Sequence, residues 1–283
     1  MKIAIVIPCY KSKKKILSVI KKIKKNISKI FIVDDFCPQK TGSYVQSKIK
    51  DKRIRVIFNK KNLGVGGAVI EGFKALKKYN IDIVVKLDSD GQMNPENIND
   101  LISPILLLNK DFVKGNRFYS YENIMKMPRI RLLGNVVLTY LTKLTSGYYT
   151  SKDPTNGFFA IKKKLLDQIN LDKLSKNYFF ETSLLFNLYL LKAKISHYKM
   201  KTIYFKKSTS SLSVPKIIPL FLKEHFFFFI KRIFLNKSHR LFFLFQALLI
   251  SVLNFFFNIY FFVYFIPIFI IIFFLIDKKN EPV

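Results

Sequence analysis

Two carboxylates one residue apart, Asp88 and Asp90, followed by the Gln92 amide, form the group in this sequence best suited to chemistry. Oxygen donors at that spacing suit a hard divalent cation, Mg²⁺ or Mn²⁺, that keeps positions open for phosphate oxygens. A diphosphate leaving group needs such a cation to neutralise its developing charge. Asp34-Asp35 is a second acidic pair. A carboxylate there accepts hydrogen bonds from a nucleobase or a ribose hydroxyl, or it caps the next helix. Gly115-Asn116-Arg117 adds a guanidinium. The chain has seven arginines among 49 basic residues, so an arginine here marks a need for a fork, which phosphate oxygens match. Arg131 is either a second clamp or a surface charge. Glu181 is open to three roles: catalytic base, ligand of a sugar hydroxyl, or capping carboxylate.

Bringing these groups together requires a scaffold with one polar edge. Short apolar runs at 3–7, 29–33, 54–58, 82–87 and 111–114 read as buried strands. Between the first two, Ile16, Ile20, Ile23 and Ile27 are spaced for an amphipathic helix. A helix is expected over 62–79, opened by Gly64, Gly66 and Gly67, and another after Pro95. Alternating strands and helices imply an α/β fold with a mostly parallel sheet covered on both faces. Ligands bind such sheets beyond the carboxyl ends of the strands. Those ends carry Pro8-Cys9-Tyr10, Asp34-Asp35, Asp88-Ser89-Asp90 and Gly115-Asn116-Arg117, so the polar chemistry gathers on one edge. Beyond residue 120, helices are expected over 128–147 and 178–192, a loop at 153–157 and extended chain over 195–205. The glycines of Asn62-Leu63-Gly64-Val65-Gly66-Gly67-Ala68 match neither a dinucleotide fingerprint nor a Walker loop. They shape a donor pocket or pack the helix closely.

Forty-nine Lys and Arg against 18 Asp and Glu give a net charge of +31. Part of this excess is the residue bias of an AT-rich genome. The rest suits an anionic membrane surface better than nucleic acid, since no aromatic-basic binding motif accompanies it. Two cysteines, Cys9 and Cys37, exclude a disulfide-stapled secreted fold and read as small, semi-buried thiols.

The C-terminal region differs. Leu241 to Ile276 is a run of 36 residues without a charged side chain. That exceeds the roughly 20 residues of one upright span. Two short helices turning near Asn254 to Asn258 are preferred to one long tilted helix. Lys231, Arg232, Lys237, His239 and Arg240 precede the run, and Lys278 and Lys279 follow it. Basic flanks place both ends, and the N-terminal domain, on the cytoplasmic side. Residues 215–235 form an apolar helix with a polar stripe of Lys216, Lys223, Glu224 and Lys231. It is read as lying in the membrane interface rather than in a core.

Taken together, IPCYK at 7–11, VDDF at 33–36, NLGVGGA at 62–68, KLDSDGQMNP at 86–95, GNRF at 115–118 and DPTNGF at 153–158 resemble the inverting family-two glycosyltransferases of GT-A fold. Within them the chain is similar to the dolichol- or polyprenyl-phosphate hexose synthases, over about residues 1–210. The resemblance implies a nucleotide-sugar donor held by Pro8, Tyr10, Val33, Asp34, Asp35, Ser89 and Arg117. It implies a metal at Asp88, Asp90 and Gln92, and catalytic roles for Asp90, Arg117 and Glu181. Arg131 would meet the phosphate of a lipid acceptor. Some positions depart from the family pattern. Lys11-Ser12 follow Tyr10 where Asn-Glu is common, Cys37 replaces a serine, and Glu181-Thr182-Ser183 lacks a second acid.

The organisation expected is therefore a GT-A domain at 1–210, an interfacial helix at 211–240, two transmembrane helices at 241–276 and a cytoplasmic tail at 277–283. The function expected is transfer of a hexose from a nucleotide-sugar to a polyprenyl or dolichyl phosphate at the membrane, with inversion. Transfer to a glycan or glycolipid hydroxyl is the alternative within enzymes, and a non-catalytic membrane scaffold the alternative outside them. Oligomeric state is not legible.

Overall fold

The computed structural model describes residues 1–119, 129–201 and 214–235, with isolated positions between 124 and 127 and between 273 and 282. The elements are β1 (Ile3–Cys9), α1 (Lys13–Lys21), β2 (Lys29–Asp34), α2 (Thr41–Lys48), β3 (Ile54–Phe58), α3 (Gly64–Leu76), β4 (Ile83–Lys86), α4 (Ile98–Leu107), β5 (Phe112–Asn116), α5 (Arg129–Ser146), β6 (Phe159–Lys162), α6 (Phe180–Leu190), β7 (Ile195–Lys199) and α7 (Val214–Leu235). A single helical turn, Lys163–Leu166, follows β6.

The strands form one seven-stranded sheet in the order β3-β2-β1-β4-β6-β5-β7. Neighbours pair in parallel except at β6, which runs antiparallel to both β4 and β5. Residues alternate along β1 between two cores. Ala4 and Val6 face α3 and α6 on one side, while Ile3, Ile5 and Ile7 face α1 and α4 on the other. Two-sided burial explains why these strands read as unbroken apolar runs. Gly72 sets the height of α3 over the sheet, since a Cβ there would meet Val6 Cγ1 at 2.3 Å.

The five expected strands are present, and the expected helices appear with ends shifted by a few residues. Two elements were not expected. Helix α2 has weak amphipathicity in TGSYVQSK, and β6 lies in the short run after the 153–157 turn. Extended chain near 195 is observed as β7, while 202–213 lie outside the described residues. The run 241–276 also lies almost wholly outside them, so the two-helix expectation is not addressed by the fold. Among the described residues, no helix is long and apolar enough to cross a membrane.

The segment beyond the run is not separate from the domain. Asp277 is fully buried and pairs with Arg232 of α7, and Glu281 bonds to Thr150.

Candidate active site

A parallel strand ends, and an antiparallel strand begins, at the same sheet edge. The loops after β1, β2, β4 and β5 and the loop before β6 therefore meet there. Their backbones carry strain: Lys11, Phe36 and Asp153 have φ of 53°, 53° and 54°. Non-glycine residues take this left-handed region rarely, and such residues cluster at functional sites.

At the end of β1, Pro8 and Cys9 are buried and Tyr10 is exposed. Burial pushes the Cys9 thiol up to about 12. Both cysteines are free and buried, as small apolar thiols should be. At the end of β2 the two aspartates divide their work. Asp34 Oδ1 accepts from Cys37 N at 2.7 Å and Oδ2 from Gly42 N at 2.6 Å. Both oxygens are thus taken by the turn into α2, and the capping alternative describes Asp34. Asp35 Oδ1 accepts from Asn59 Nδ2 and Leu63 N, each at 2.8 Å. Val33 is a core side chain packed toward α3, so only its backbone is left to meet a ligand.

Beyond β4, Asp88, Asp90 and Gln92 are half-buried and Ser89 is buried. Asp90 Oδ1 accepts from Gln92 N at 2.9 Å. Burial, then the charge of Asp88, raises the Asp90 carboxyl above its ordinary range. The two carboxylates are therefore close enough to repel, which a shared cation would relieve. Asp88 already has one positive neighbour. Lys86 Nζ lies 2.6 Å from Asp88 Oδ1 and 3.5 Å from Glu181 Oε1. Burial alone would lower the Lys86 ammonium, but the carboxylates of Asp88 and Glu181 outweigh it and hold it above the ordinary lysine value.

Glu181 reaches this point because α6 starts beside α3. Gly67 N donates to Lys176 O at 2.9 Å, and a Cβ on Gly66 would meet Ser175 O at 2.5 Å. The glycine-rich segment is thus a packing device that lets the 175–180 loop approach. Gly157 has a similar role: a Cβ there would meet Lys86 Nζ at 1.9 Å and Asp88 Oδ2 at 2.7 Å.

Beyond β5, the Arg117 fork expected on phosphate rests on a carboxylate. Asp153 Oδ2 accepts from Arg117 N at 2.9 Å and Nε at 2.7 Å, and Oδ1 accepts from Nη2 at 2.5 Å. Arg117 Nη2 also donates to Thr155 Oγ1 at 2.9 Å. Lys114 Nζ donates to Asn156 O at 2.5 Å. Burial pushes the Lys114 ammonium down to about 8, with Glu181 and Asp153 pulling the other way. Arg131 lies in α5, and its side chain is outside the described residues.

Three residues here escaped the sequence reading. Lys86 and Lys114 sit inside runs read as apolar strands, and an internal lysine in a fully buried strand was the available signal. Asp153 was read as part of a turn. Among the described residues, no group of three or more His, Cys, Asp or Glu side chains is arranged to hold a metal. The available donor set is the two carboxylates and the Gln92 amide. It is all oxygen, and its mutual repulsion fits a hard divalent cation completed by phosphate oxygens.

A family model described as Glycosyl transferase family 2 matches residues 4–169. The chain belongs to that family. It is accordingly an enzyme, a glycosyltransferase, as the sequence motifs implied. A UDP-N-acetylglucosamine–dolichyl-phosphate N-acetylglucosaminyltransferase of Methanococcus voltae is 30% identical over 220 residues, covering 73% of this chain and 87% of the relative. A dolichol-phosphate mannosyltransferase of Pyrococcus furiosus is 27% identical over 186 residues, covering 62% of this chain and 50% of the relative. Among solved structures, glucosyl-3-phosphoglycerate synthase of Mycobacterium tuberculosis, in complex with Mn²⁺, UDP and glucosyl-3-phosphoglycerate, gives a TM-score of 0.57. That comparison covers 82% of this chain and 79% of the synthase at 18% identity, and it shows a shared GT-A-like fold. The sheet of this family-2 glycosyltransferase is therefore the platform its motifs implied.

Proposed function

We propose that this family-2 glycosyltransferase moves a hexose from a nucleotide-sugar to a polyprenyl or dolichyl phosphate, with inversion at the anomeric carbon. Asp88, Asp90 and Gln92 would hold Mg²⁺ or Mn²⁺, and when bound that ion neutralises charge on the leaving diphosphate. Asp35 and the exposed Tyr10 flank the donor's nucleoside. Arg117, fixed by Asp153, stands at the same edge.

One observation carries the acceptor assignment. Glu181 is buried, and its Oε1 is engaged by the Lys86 ammonium at 3.5 Å. Transfer to a sugar hydroxyl needs a base, and the candidate for it has an oxygen already committed to a protein cation. A phosphate monoester needs no such base, since its second pKa is about 6 and it is already anionic at neutral pH. It needs orientation by cations, the role read for Arg131 on α5. The named relatives, which act on dolichyl phosphate, support the same acceptor class.

A lipid acceptor requires a membrane, and the reading includes docking on its cytoplasmic face. Helices α5 and α7 pack together, and both leave large apolar side chains exposed. On α5 these are Leu133, Val137 and Tyr140, and on α7 they are Leu222, Phe226 and Phe227. Exposed apolar groups at this density mark an interaction surface. The Arg232–Asp277 pair supports two passes through the bilayer. One straight helix over the 36-residue run would be about 54 Å long, so its ends could not meet in an ion pair.

The test is incubation of membranes bearing the enzyme with a panel of radiolabelled nucleotide-sugars and polyprenyl phosphate, followed by organic extraction. Label is expected in the lipid phase, dependent on Mg²⁺ or Mn²⁺ and lost in Asp90→Asn. Label only on a glycolipid hydroxyl, abolished in Glu181→Gln, would overturn the acceptor assignment.

A further inference from the structure

The chain returns to the catalytic domain after its apolar run, and it does so with buried charge. Asp277 is fully buried, and its carboxylate accepts from Arg232 Nη1, from Arg232 Nη2 at 2.7 Å, and from the Tyr149 hydroxyl. Burial and the Asp277 charge push the Tyr149 phenol far up, so it stays protonated and donating. Arg232 Nη2 also donates to Leu144 O at 2.5 Å, and the guanidinium lies over the Tyr189 ring. Glu281 is 9% exposed, and its Oε1 accepts from Thr150 N at 2.9 Å and from Thr150 Oγ1 at 2.5 Å. Two desolvated carboxylates are costly unless their partners are fixed.

Both partners lie in one short segment. Tyr149 and Thr150 are the residues just before Ser151-Lys152-Asp153. That segment is pinned at its other end by Arg117, whose guanidinium and backbone N–H both donate to Asp153. Between the two ends, Lys152 N donates to His197 Nε2 at 3.2 Å. Asp153 itself takes a φ of 54°. A strained residue keeps such a conformation only when its surroundings over-determine it. The tail supplies one side of that constraint and Arg117 the other.

We infer that Asp277 and Glu281 are positioning residues of the transfer site, holding the Tyr149–Asp153 segment and, through Asp153, the Arg117 guanidinium. The inference rests on the reading of Arg117 as part of the site. It also gives the enzyme a structural link between the far end of its apolar run and its catalytic edge. Displacement of a positioned group by about 1 Å costs on the order of 10²-fold in rate, so slack in this segment is sufficient to matter.

The test uses the full chain, assayed for label transfer to polyprenyl phosphate well below its unfolding temperature. Glu281→Ala removes the acceptor of the tail contact and Thr150→Val its hydroxyl donor, and neither removes the Arg232–Asp277 pair. Each is expected to lower kcat/KM, Glu281→Ala by about tenfold or more, while the chain remains folded. In an Arg117→Lys background, Glu281→Ala is expected to add less than about a twofold loss, because the group it positions is gone. Full activity of Glu281→Ala would overturn the inference, as would losses that multiply in the double variant. A loss that vanishes as the assay moves further below the unfolding midpoint would reduce the tail to a stability element and also overturn it. Full activity of Arg117→Lys alone would instead remove Arg117 from the site, and the inference would fall with that reading.

Discussion

Lys86 and Asp88 form an ion pair at the mouth of the sheet, with Nζ 2.6 Å from Oδ1 and the lysine side chain only 2% exposed. Only Leu87 separates the buried cation at the end of β4 from the carboxylate that it steadies. The same ammonium reaches Glu181 on α6. One side chain thus joins the metal-type motif to the helix that closes the site. Lys86→Met should leave Glu181 buried without a counter-charge. Breaking a buried pair costs about 3–5 kcal/mol, and the lower end applies here because Asp88 is partly solvated. The readout is the unfolding midpoint of the purified enzyme, and an unchanged midpoint would show the ammonium to be dispensable.

Gly157→Ala attacks the same pair from above. Its Cβ would stand 1.9 Å from Lys86 Nζ, so the ammonium must leave Asp88. Turnover should fall on the order of 10²-fold, with far less effect on overall stability than Lys86→Met. Initial rates within twofold of the parent would mean that the pair does not order the site.

Lys114 yields a prediction in pH. Burial holds its ammonium at about 8 in the folded chain, below the ordinary value of 10.5. The unfolded chain therefore binds more protons between those values, and stability gains a favourable contribution as pH rises from about 8 toward 10.5. Below pH 8 the buried charge is a full liability. Lys114→Met removes the group, so its stability relative to the parent should be greatest below pH 8 and should decline above it. Denaturation midpoints of both proteins at pH 7.5 and 9.5 decide this, and a difference that grows with pH would refute it.

Tracing these side chains shows what the sequence could disclose. Asp35, Asp88, Asp90 and Arg117 were legible because parallel strands deliver their carboxyl ends to one edge, and strand ends are marked by a change from apolar to polar residues. Their partners were not legible. Asp153 lies 36 residues beyond Arg117, and no periodicity links a turn aspartate to a distant arginine. Lys86 and Lys114 were hidden because a strand template scores a lysine as an edge, not as a buried cation. Strand β6 has only the Phe159–Lys162 run to announce it, and it breaks the alternation of strand and helix on which the rest of the reading relied. Helix α2 follows from the capping by Asp34 rather than from its own apolar pattern.

The proposed docking surface can be read by fluorescence, because the chain contains no tryptophan. Phe227→Trp on α7 and Leu133→Trp on α5 would each introduce a single reporter at an exposed apolar position. In reconstituted enzyme both should emit at short wavelength and be quenched by lipids brominated on the acyl chain. Leu107→Trp, at an exposed position on α4, is the control expected to stay unquenched. Red-shifted, unquenched emission from α5 and α7 would remove the interfacial role.

Strand β6 also dictates an order of events during synthesis. It is the wedge between β4 and β5, which do not touch each other in the sheet. When the ribosome has made β5, that strand has no partner, and β4 shows an open edge of backbone donors and acceptors. Both wait for residues 159–162, and β5 waits again for β7 at 195–199. At about 5–20 residues per second, the interval from the end of β5 to the end of β7 is about 4–17 seconds. During it the half of the sheet built from β1 to β4 can already be folded, while its neighbour offers a bare strand to any passing chain. The nascent enzyme is thus most exposed to misassociation, and most in need of a chaperone, before its acidic and basic site residues have met.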